Sequence, residues 1–379
     1  MAKKKETTTK DERTDDFADD VMSVINKQFK DMPNAFEYLS DANMISDWVS
    51  TGCDELDLAI SNRPNGGVPF SRVVEIYGPS QSSKSLVAAH ILAETQQIGG
   101  LAILYDTEKA VGMLDFYQAI GLDVTKTLYT DKLRTIEEIF ESIESIIERS
   151  YLKNPNKLIT IVVDSIMGAT TLVEQEAGFE KDGYATTKAL VLSKAMRKIG
   201  DLINNRKILL VLVNQVRDNL NAAMFGEKTT TSGGKAVGFT ASVRLQTVVM
   251  KRIKGKINGI DSEIGNIDQV KVVKNRLGPP GRKATFTINY ESGIDRIGNF
   301  LDTLVDCGVV KQSSSSYSFE YANPETGELE VHKTTRAKFG ELMDFMPAAK
   351  EDLYLRLCDK YVMKYKGDSE YLDIQFEDE

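Results

Sequence analysis

The segment VVEIYGPSQSSKS, from Val73 to Ser85, joins a buried-strand pattern to a turn that could bind phosphate. Gly78 and Pro79 interrupt the apolar run, and helical periodicity begins at Lys84. Backbone N–H groups in such a turn, with the positive end of a helix behind them, can surround an anion. Lys84 would add a positive charge and Ser85 a hydroxyl ligand for Mg²⁺. The segment therefore predicts a nucleotide-phosphate loop made of Gly78, Pro79, Ser80, Gln81, Ser82, Ser83, Lys84 and Ser85.

Ser83 departs from the usual pattern of this loop, G-x-x-x-x-G-K-[ST], because it stands where the second glycine is expected. A Gly/Ser-rich connector between a strand and a helix is the alternative interpretation. Other segments have to decide between the two.

Polar residues follow four short apolar strands that are separated by helical stretches. The strands are expected at Val73 to Tyr77, Leu101 to Tyr105, Leu158 to Val163 and Ile208 to Val213. Such strands indicate a mostly parallel sheet in an α/β fold, and ligands collect at the carboxyl ends of parallel strands. The sequence therefore predicts that their polar ends converge on one edge.

Three of these strand ends could carry out phosphate chemistry. Asp164 follows LITIVV and could hold Mg²⁺ opposite Ser85. Glu108 ends LAILYDTE and could orient an attacking water, although stabilisation of a helix N-terminus is the alternative. Gln215 could hydrogen-bond a γ-phosphate and act as a sensor of its loss.

A long Gly/Thr-rich loop follows Gln215 and carries Arg217, Phe225, Lys228 and Lys235. Loops of this length within a domain are usually functional or disordered. Positive charges and an aromatic ring suit a nucleic-acid backbone and its bases, whereas a plain surface loop is the alternative.

Composition excludes several classes of protein. The 379 residues are 41% hydrophobic and 27% charged, three cysteines are scattered, and two histidines leave no zinc pattern. No apolar run approaches a membrane span and the N-terminus lacks a secretory pattern, so we expect no membrane partner and a reducing cytoplasm.

The net charge of −9 is unevenly distributed: residues 197–283 hold 17 Lys/Arg against six Asp/Glu, and residues 368–379 hold six acids and no base. A basic middle with an acidic tail is typical of polyanion binding, and a solvated surface with a disordered end explains the charges equally well.

The pattern along the chain predicts three regions. Residues 1–49 contain a disordered start and an amphipathic helix from Asp16 to Phe29, which could pack on its own domain or on a neighbouring subunit. Residues 50–296 form the sheet-based core, in which shorter antiparallel strands follow Ser242. Residues 297–379 form a small C-terminal lobe that is helical, with a Ser-rich break at Ser313 to Ser316 and the acidic tail.

With these segments assembled, the chain resembles the RecA family of recombinases from about Ile25 to Asn289. The resemblance rests on STGCDELDLAI, VVEIYGPSQSSKS, LYDTE, VVDS, NQVR, MFGEKTTTSGGKAVGFTASVRL and VKVVKN in family order, and on INKQF, which is similar to the N-terminal polymerisation helix. The loop MFGEKTTTSGGKA is the most specific part, since generic NTPases have nothing similar.

The resemblance implies a RecA-like P-loop ATPase that forms a homo-oligomeric helical filament on single-stranded DNA, pairs it with homologous double-stranded DNA, and holds ATP and Mg²⁺ between subunits. Lys84 and Ser85 resemble the phosphate and Mg²⁺ ligands, Asp164 the Walker B carboxylate, Glu108 the catalytic glutamate and Gln215 the switch. Lys274 and Arg276 resemble two family lysines that reach the γ-phosphate from the adjacent subunit; Arg276 keeps the charge and changes the geometry. The residues that resemble the second DNA-binding loop are Arg217, Met224, Phe225, Gly226, Lys228, Thr231, Ser232, Gly233, Gly234 and Lys235, and Val173 to Tyr184 lies where the first loop should be.

Ser83 resembles the residue found in phage recombinases of the UvsX type, which favours a virus-encoded protein acting in a bacterial host. Two other functions stay open. A RecA-core helicase or motor shares the strand-end residues, and a nucleotide-gated DNA-binding mediator without turnover is compatible with the altered phosphate loop.

Overall fold

The computed structural model of the protein describes residues 16–29, 35–39, 45–109, 114–177, 184–218, 229–231, 236–322 and 326–365. The chain divides into two units, Met1–Ile45 and Ser46–Glu379. The acidic tail, 368–379, lies outside the described residues. Within them, none of the helices has the length and apolar character needed to cross a membrane.

The first unit contains helix α1 (Asp16–Gln28), which confirms the helix expected from Asp16 to Phe29. Residues 35–39 are fastened to this helix by side-chain hydrogen bonds. The Asn26 amide donates to the Phe36 carbonyl at 3.0 Å and accepts from the Phe36 N–H at 2.8 Å. The Tyr38 hydroxyl donates to Asp19 Oδ1 at 2.9 Å.

The second unit contains the remaining described elements. Its helices are α2 (Asp54–Ser61), α3 (Lys84–Gln97), α4 (Leu114–Ala119), α5 (Ile136–Lys153), α6 (Leu172–Glu176), α7 (Tyr184–Ile203), α8 (Ala236–Thr240), α9 (Arg296–Asp306), α10 (Arg336–Phe345) and α11 (Pro347–Tyr361). Its strands are β1 (Trp48–Val49), β2 (Val68–Pro69), β3 (Arg72–Gly78), β4 (Leu101–Asp106), β5 (Leu128–Thr130), β6 (Ile159–Asp164), β7 (Ile208–Asp218), β8 (Thr229–Thr231), β9 (Val243–Ile257), β10 (Ile260–Asn275), β11 (Lys283–Asn289), β12 (Gly293–Ile294), β13 (Lys311–Ser313), β14 (Ser316–Ala322) and β15 (Leu329–Thr335).

The central sheet has the order β12-β11-β10-β9-β3-β7-β6-β4-β5, with β8 attached to β7. Strands β3, β7, β6, β4 and β5 run parallel, so their carboxyl ends meet at one edge, which we call the carboxyl edge. The opposite edge is the amino edge. The four predicted strands and their parallel arrangement in an α/β fold are confirmed.

Hydrophobic side chains cover both faces of this sheet, as the near-continuous apolar strands predict. On β3, Val74 and Ile76 pack in one cluster with residues of α3, such as Ile91. Val73 points to the other cluster, which contains residues of α5 and α7, such as Ile143 and Met196. The alternation along β3 therefore fixes the sheet between two helical layers.

Strands β9 and β10 form a hairpin and are much longer than the short strands expected after Ser242, at 15 and 16 residues. That expectation was wrong because the outer half of the hairpin is polar and lacks an apolar signal. Opposite charges pair across it instead, with Lys256 opposite Asp261 and Lys254 opposite Glu263. Asn258 and Gly259 close the hairpin with φ of 52° and 84°.

Residues 296–365 build a third hydrophobic cluster, which includes Phe300, Phe319, Phe339 and Leu353 and is completed by Leu58 of α2. Strands β13, β14 and β15 form a separate antiparallel sheet here. The sequence predicted only helix in this region; the Ser-rich break is the turn between β13 and β14, where Ser314 has a φ of 54°. The boundary expected at residue 297 stays a prediction.

Candidate nucleotide site

The predicted phosphate loop lies at the carboxyl edge, between the end of β3 at Gly78 and the start of α3 at Lys84. Gly78 is required by close packing, because a Cβ atom there would lie 2.4 Å from the Thr247 carbonyl oxygen on β9. The buried Ser82 hydroxyl is 2.7 Å from both the Pro79 carbonyl and the Thr247 hydroxyl. Ser82 thus connects the loop to β9 through Thr247 and to its own backbone through Pro79.

The Lys84 ammonium lies inside the loop, where it donates to the Pro79 carbonyl at 2.5 Å. Burial lowers the pKa of Lys84, and the negative charges of Asp164 and Glu108 oppose this shift. A buried ammonium at the start of a helix suits a polyanion such as a triphosphate. The role of Lys84 at the phosphates stays a prediction, which its position inside the loop supports.

Asp164, at the end of β6, lies beside Ser85 and opposite Asp106 of β4 in the strand register. Burial raises the pKa of Asp164 to about 6, while the Ser85 hydroxyl and Lys84 lower it and Glu108 and Asp106 raise it. Oxygen donors of this kind fit Mg²⁺, whose remaining ligands are usually water and phosphate. Among the described residues, no group of three or more His, Cys, Asp or Glu side chains could hold a metal by itself.

Glu108 lies two residues beyond the end of β4 rather than within the strand, which corrects the expectation that it ends the strand. Its exposed carboxylate accepts a hydrogen bond from the Ser165 hydroxyl and another from the Gln215 amide at 3.1 Å. The fold thus brings Glu108 and Gln215 into direct contact. The sequence placed Ser165 at a polar strand end, in VVDS, but gave it no role, since a serine after a strand-ending Asp carries no distinctive signal.

Three side chains behind Gln215 form a continuous set of contacts, which we call the polar relay: Asn214, Glu75 and Arg244. Asn214 accepts from the Gln215 N–H at 2.9 Å and donates to Glu75 Oε1 at 2.9 Å. Glu75 is fully buried and pairs with Arg244 Nε at 2.5 Å. Arg244 also donates to the Thr231 hydroxyl at 3.4 Å. The polar relay therefore connects the nucleotide edge with β8. Its three residues lie within motifs noted in the sequence, but none of those motifs assigned them this role.

A sequence profile of the RecA N-terminal domain matches residues 17–295. Protein RecA of Clostridium acetobutylicum is 37% identical over 302 residues, which cover 79% of this chain and 81% of that protein. Protein RecA of Clostridium beijerinckii is 36% identical over 299 residues, covering 79% and 78%. Protein RecA of Zymomonas mobilis is 34% identical over 323 residues, covering 81% and 86%.

The chain belongs to the RecA family. As a member of the RecA family it is a DNA-dependent ATPase and a strand-exchange recombinase, which uses ATP with Mg²⁺ and forms filaments on DNA. The likeness of Ser83 to the phage recombinases stays a prediction.

The two RecA-family cations Lys274 and Arg276 do not lie at the phosphate loop of their own chain. Lys274 is opposite Arg244 in the register and Arg244 is opposite Glu75, which precedes Gly78 by three residues, or about 10 Å along the strand. Both cations donate to carbonyls at the end of α8: Lys274 to Gly238 and Phe239 at 2.8 Å each, and Arg276 to Phe239 at 2.9 Å. Burial and the neighbouring Arg276 and Arg244 lower the pKa of Lys274 to about 8, and Glu75 opposes this.

The loop that resembles the second RecA-family DNA-binding loop is described only at its two ends. Arg217 on β7 pairs in register with Thr230 on β8, and Val216 pairs with Thr231. The predicted contacts that lie outside the described residues are Met224, Phe225, Gly226, Lys228, Ser232, Gly233, Gly234 and Lys235. In the segment expected as the first loop, 178–183 lies outside them as well.

A cavity of about 290 Å³ adjoins the phosphate loop and is lined by Gln81 to Leu86, Ala89, Phe116 and Tyr117. The two aromatic rings, which no sequence motif singled out, belong to α4. Their centroids lie 6.0 Å apart in an edge-to-face arrangement. A purine base could pack against such an apolar wall. Their signal in the sequence, two adjacent aromatics in a short helix, is also typical of ordinary core packing.

Proposed function

We propose that this chain binds ATP where two copies of it meet, and that the nucleotide decides through Gln215 whether the 217–235 loop grips single-stranded DNA. The observation that carries the proposal is the continuous set of contacts from Glu108 through Gln215 and the polar relay to Thr231. Loss of the γ-phosphate would change the position of Gln215, and the successive contacts of the polar relay would pass this change to Thr231 at the end of the loop.

Within the proposed site, backbone N–H groups of residues 78–83 and the Lys84 ammonium would bind the phosphates. Ser85 and Asp164 would hold Mg²⁺, which when bound neutralises part of the phosphate charge. Glu108 would orient and polarise the attacking water. Gln215, which shares the Glu108 carboxylate at 3.1 Å, would exchange that contact for the γ-phosphate.

Lys274 and Arg276 would act on the nucleotide of the adjacent copy. Their positions support this. Arg276 lines a cavity at the amino edge, and Lys274 lies level with Glu75 in the middle of β3, about 10 Å from the phosphate loop at the carboxyl edge. A cavity of about 600 Å³ at the amino edge is lined by Arg72, Arg197 and Arg276 together with Asp201, an arrangement that suits an anion. A carboxyl edge stacked on an amino edge is a heterologous contact, which extends into a helical filament when it does not close.

The proposed filament acts in the bacterial cytosol, or in the host cytoplasm if the protein is phage-encoded. The three regions proposed for it are an N-terminal oligomerisation segment (1–49), the ATPase core (50–296) and a C-terminal lobe (297–379). The acidic tail would compete with DNA for the basic residues of 197–283.

The proposal is tested by measuring ATP hydrolysis, homologous pairing and DNA unwinding on the same preparation. We expect hydrolysis to depend on added single-stranded DNA, and homologous strands to pair without processive unwinding. Turnover coupled to unwinding would support a motor instead, and DNA binding without any turnover would support a mediator. Lys84→Ala is the matched negative control, since it removes the phosphate contact from the same loop.

A further inference from the structure

Ser83 occupies a backbone conformation that favours glycine. It is the residue immediately before α3, with φ of 54° and ψ of 19°, and its side chain does not cap the helix. A β carbon in this left-handed region is strained, which is why glycine is usual there. Some other contact must therefore hold this serine in the shape that the phosphate loop needs.

Two buried side chains of β10 face the Ser83 hydroxyl. The Asn266 amide, on a residue 2% exposed, donates to Ser83 Oγ at 3.3 Å and also to Asp268 Oδ1. Burial raises the pKa of Asp268, and the Ser83 hydroxyl and the Asn266 amide oppose that rise. Ser83 lies between an amide donor and a carboxylate acceptor, and its own hydrogen is free to turn towards the carboxylate.

Burial of the Asp268 carboxylate destabilises the folded protein unless a contact compensates for it. Asp268 is 1% exposed, and its Oδ2 atom has no well-formed hydrogen bond within the described residues. Burying a carboxylate oxygen without a partner is unfavourable, and an apolar residue would fill the same space without that cost. A small rotation of the Ser83 hydroxyl would supply the missing partner.

The same hairpin contacts the two preceding residues of the loop. Arg252 lies 3.5 Å from the Gln81 side-chain oxygen, and the Thr247 hydroxyl lies 2.7 Å from that of Ser82. Three consecutive residues of the phosphate loop, 81 to 83, are thus held from β9 and β10.

We propose that Asp268, together with Asn266, is a positioning residue for nucleotide binding: it fixes the Ser83 hydroxyl and so allows a serine to replace the glycine of the phosphate loop. This rests on the proposed function, namely that residues 78–85 bind a triphosphate. Asp268 does not touch the nucleotide. It acts through Ser83, whose conformation sets the direction of the N–H groups at the start of α3.

The test is a double-mutant cycle on the full-length protein, in which the affinity for a fluorescent, slowly hydrolysed ATP analogue is measured without DNA. Asp268→Asn should weaken binding about tenfold, the effect expected for the loss of one hydrogen bond to a charged group. Ser83→Gly provides the second background of the cycle and should bind the analogue more tightly than Ser83→Ala, because glycine adopts positive φ without support. In the Ser83→Gly background, Asp268→Asn should have almost no further effect.

Two further variants separate positioning from folding. Ser83→Ala keeps the β carbon and removes the hydroxyl, so it should bind as poorly as Asp268→Asn, at an unchanged unfolding temperature. Asp261→Asn makes the same charge change at an exposed position of β10 and should bind as wild type does.

The inference would be overturned if Asp268→Asn weakened binding of the ATP analogue as much in the Ser83→Gly background as in wild type. It would also be overturned if Ser83→Ala and Ser83→Gly bound the analogue with equal affinity. In either case, wild-type binding of the analogue leaves the proposed function standing. Failure of the wild-type protein to bind it would remove both.

Discussion

The Glu108 carboxylate is the point where two parts of the carboxyl edge meet. Ser165 follows β6 and Gln215 lies on β7, and both donate a hydrogen bond to the Glu108 carboxylate. Two donors fix the direction of a carboxylate on an otherwise exposed side chain, so a water bound to it has a defined position. This favours general-base chemistry over the alternative role at a helix N-terminus.

Glu108→Gln should reduce DNA-stimulated ATP hydrolysis by at least about a hundredfold, because the amide cannot accept a proton from water. Affinities for ATP and single-stranded DNA should stay close to wild type, since the amide keeps the shape of the side chain. Hydrolysis is measured by phosphate release and both affinities by titration. Glu148→Gln on the exposed face of α5 is the control; hydrolysis that persists in Glu108→Gln would exclude Glu108 as the base.

At the scale of elements, α2 is attached to β11 by one carboxylate. Glu55 Oε2 accepts from the Thr285 N–H at 3.0 Å. Burial raises the pKa of Glu55 to about 7; the Thr285 contact opposes the rise, and Asp306 adds to it. The folded state therefore binds a proton that the unfolded chain has already released near pH 6.

This contact predicts how stability depends on pH. A carboxyl group with a raised pKa stabilises the folded state fully below its unfolded pKa, and the contribution is lost as pH rises through the folded value. Between pH 6 and 8 the free energy of unfolding should fall by about 1 kcal/mol through Glu55. Glu55→Gln should reduce the slope in denaturant titrations by this amount. Asp57, whose pKa burial also raises to about 7, keeps its own contribution. Exposed Glu351→Gln should leave the slope unchanged, and an unchanged slope in Glu55→Gln would show that Glu55 does not titrate in this window.

The polar relay is also a property of elements, since it crosses from β7 through β3 to β9. Arg244 is its branch point, with Glu75 on one side, Thr231 on the other and the Tyr77 ring 4.6 Å below its guanidinium. Arg244→Lys keeps the charge near Glu75 and loses the forked geometry that reaches Thr231.

In Arg244→Lys, the preference of single-stranded DNA binding for ATP over ADP should fall by about fivefold, the lower end of typical coupling between sites. ATP affinity without DNA should not change. DNA affinity is measured by anisotropy in each nucleotide. Arg206→Lys, which also removes a guanidinium from a tyrosine ring, is the control; an equal loss of affinity with ATP and with ADP would mean that Arg244 supports the loop without coupling it to the nucleotide.

At the scale of the whole molecule, the two edges of the sheet carry complementary halves of the proposed site. The carboxyl edge has the phosphate loop, Asp164 and Glu108. Arg276 lies at the amino edge, and Lys274 lies level with the middle of β3. If the site is shared in this way, turnover should require assembly.

Mixing two inactive variants tests this division. The Lys84→Ala variant lacks the lysine of its own phosphate loop. The Lys274→Ala variant lacks the cation that is proposed to contact the nucleotide of the adjacent copy. An equimolar mixture should regain about a quarter of wild-type hydrolysis, because one heterologous interface in four combines both intact halves. Each variant alone at the same total concentration is the control. A mixture no more active than its components would place Lys274 in the site of its own chain.

Much of the core could be predicted from the sequence. Strands such as Val73 to Tyr77 are continuous in the chain, so their apolar pattern and the polar residues behind them give the sheet, its carboxyl edge and the phosphate loop. The long β9–β10 hairpin and the sheet of β13 to β15 could not be predicted, because cross-strand charge pairs and short half-exposed strands leave little hydrophobic periodicity.

The sequence by itself determined the family, the parallel core and which residue types meet the phosphates, since these depend on local pattern and on motifs a few residues long. Only the tertiary structure decided which side chains touch. Glu108 contacts Gln215 across 107 residues, Ser83 contacts Asn266 across 183, and Lys274 lies level with Glu75 rather than beside the phosphate loop. Contacts of this kind depend on strand order and register, which no short stretch of sequence encodes.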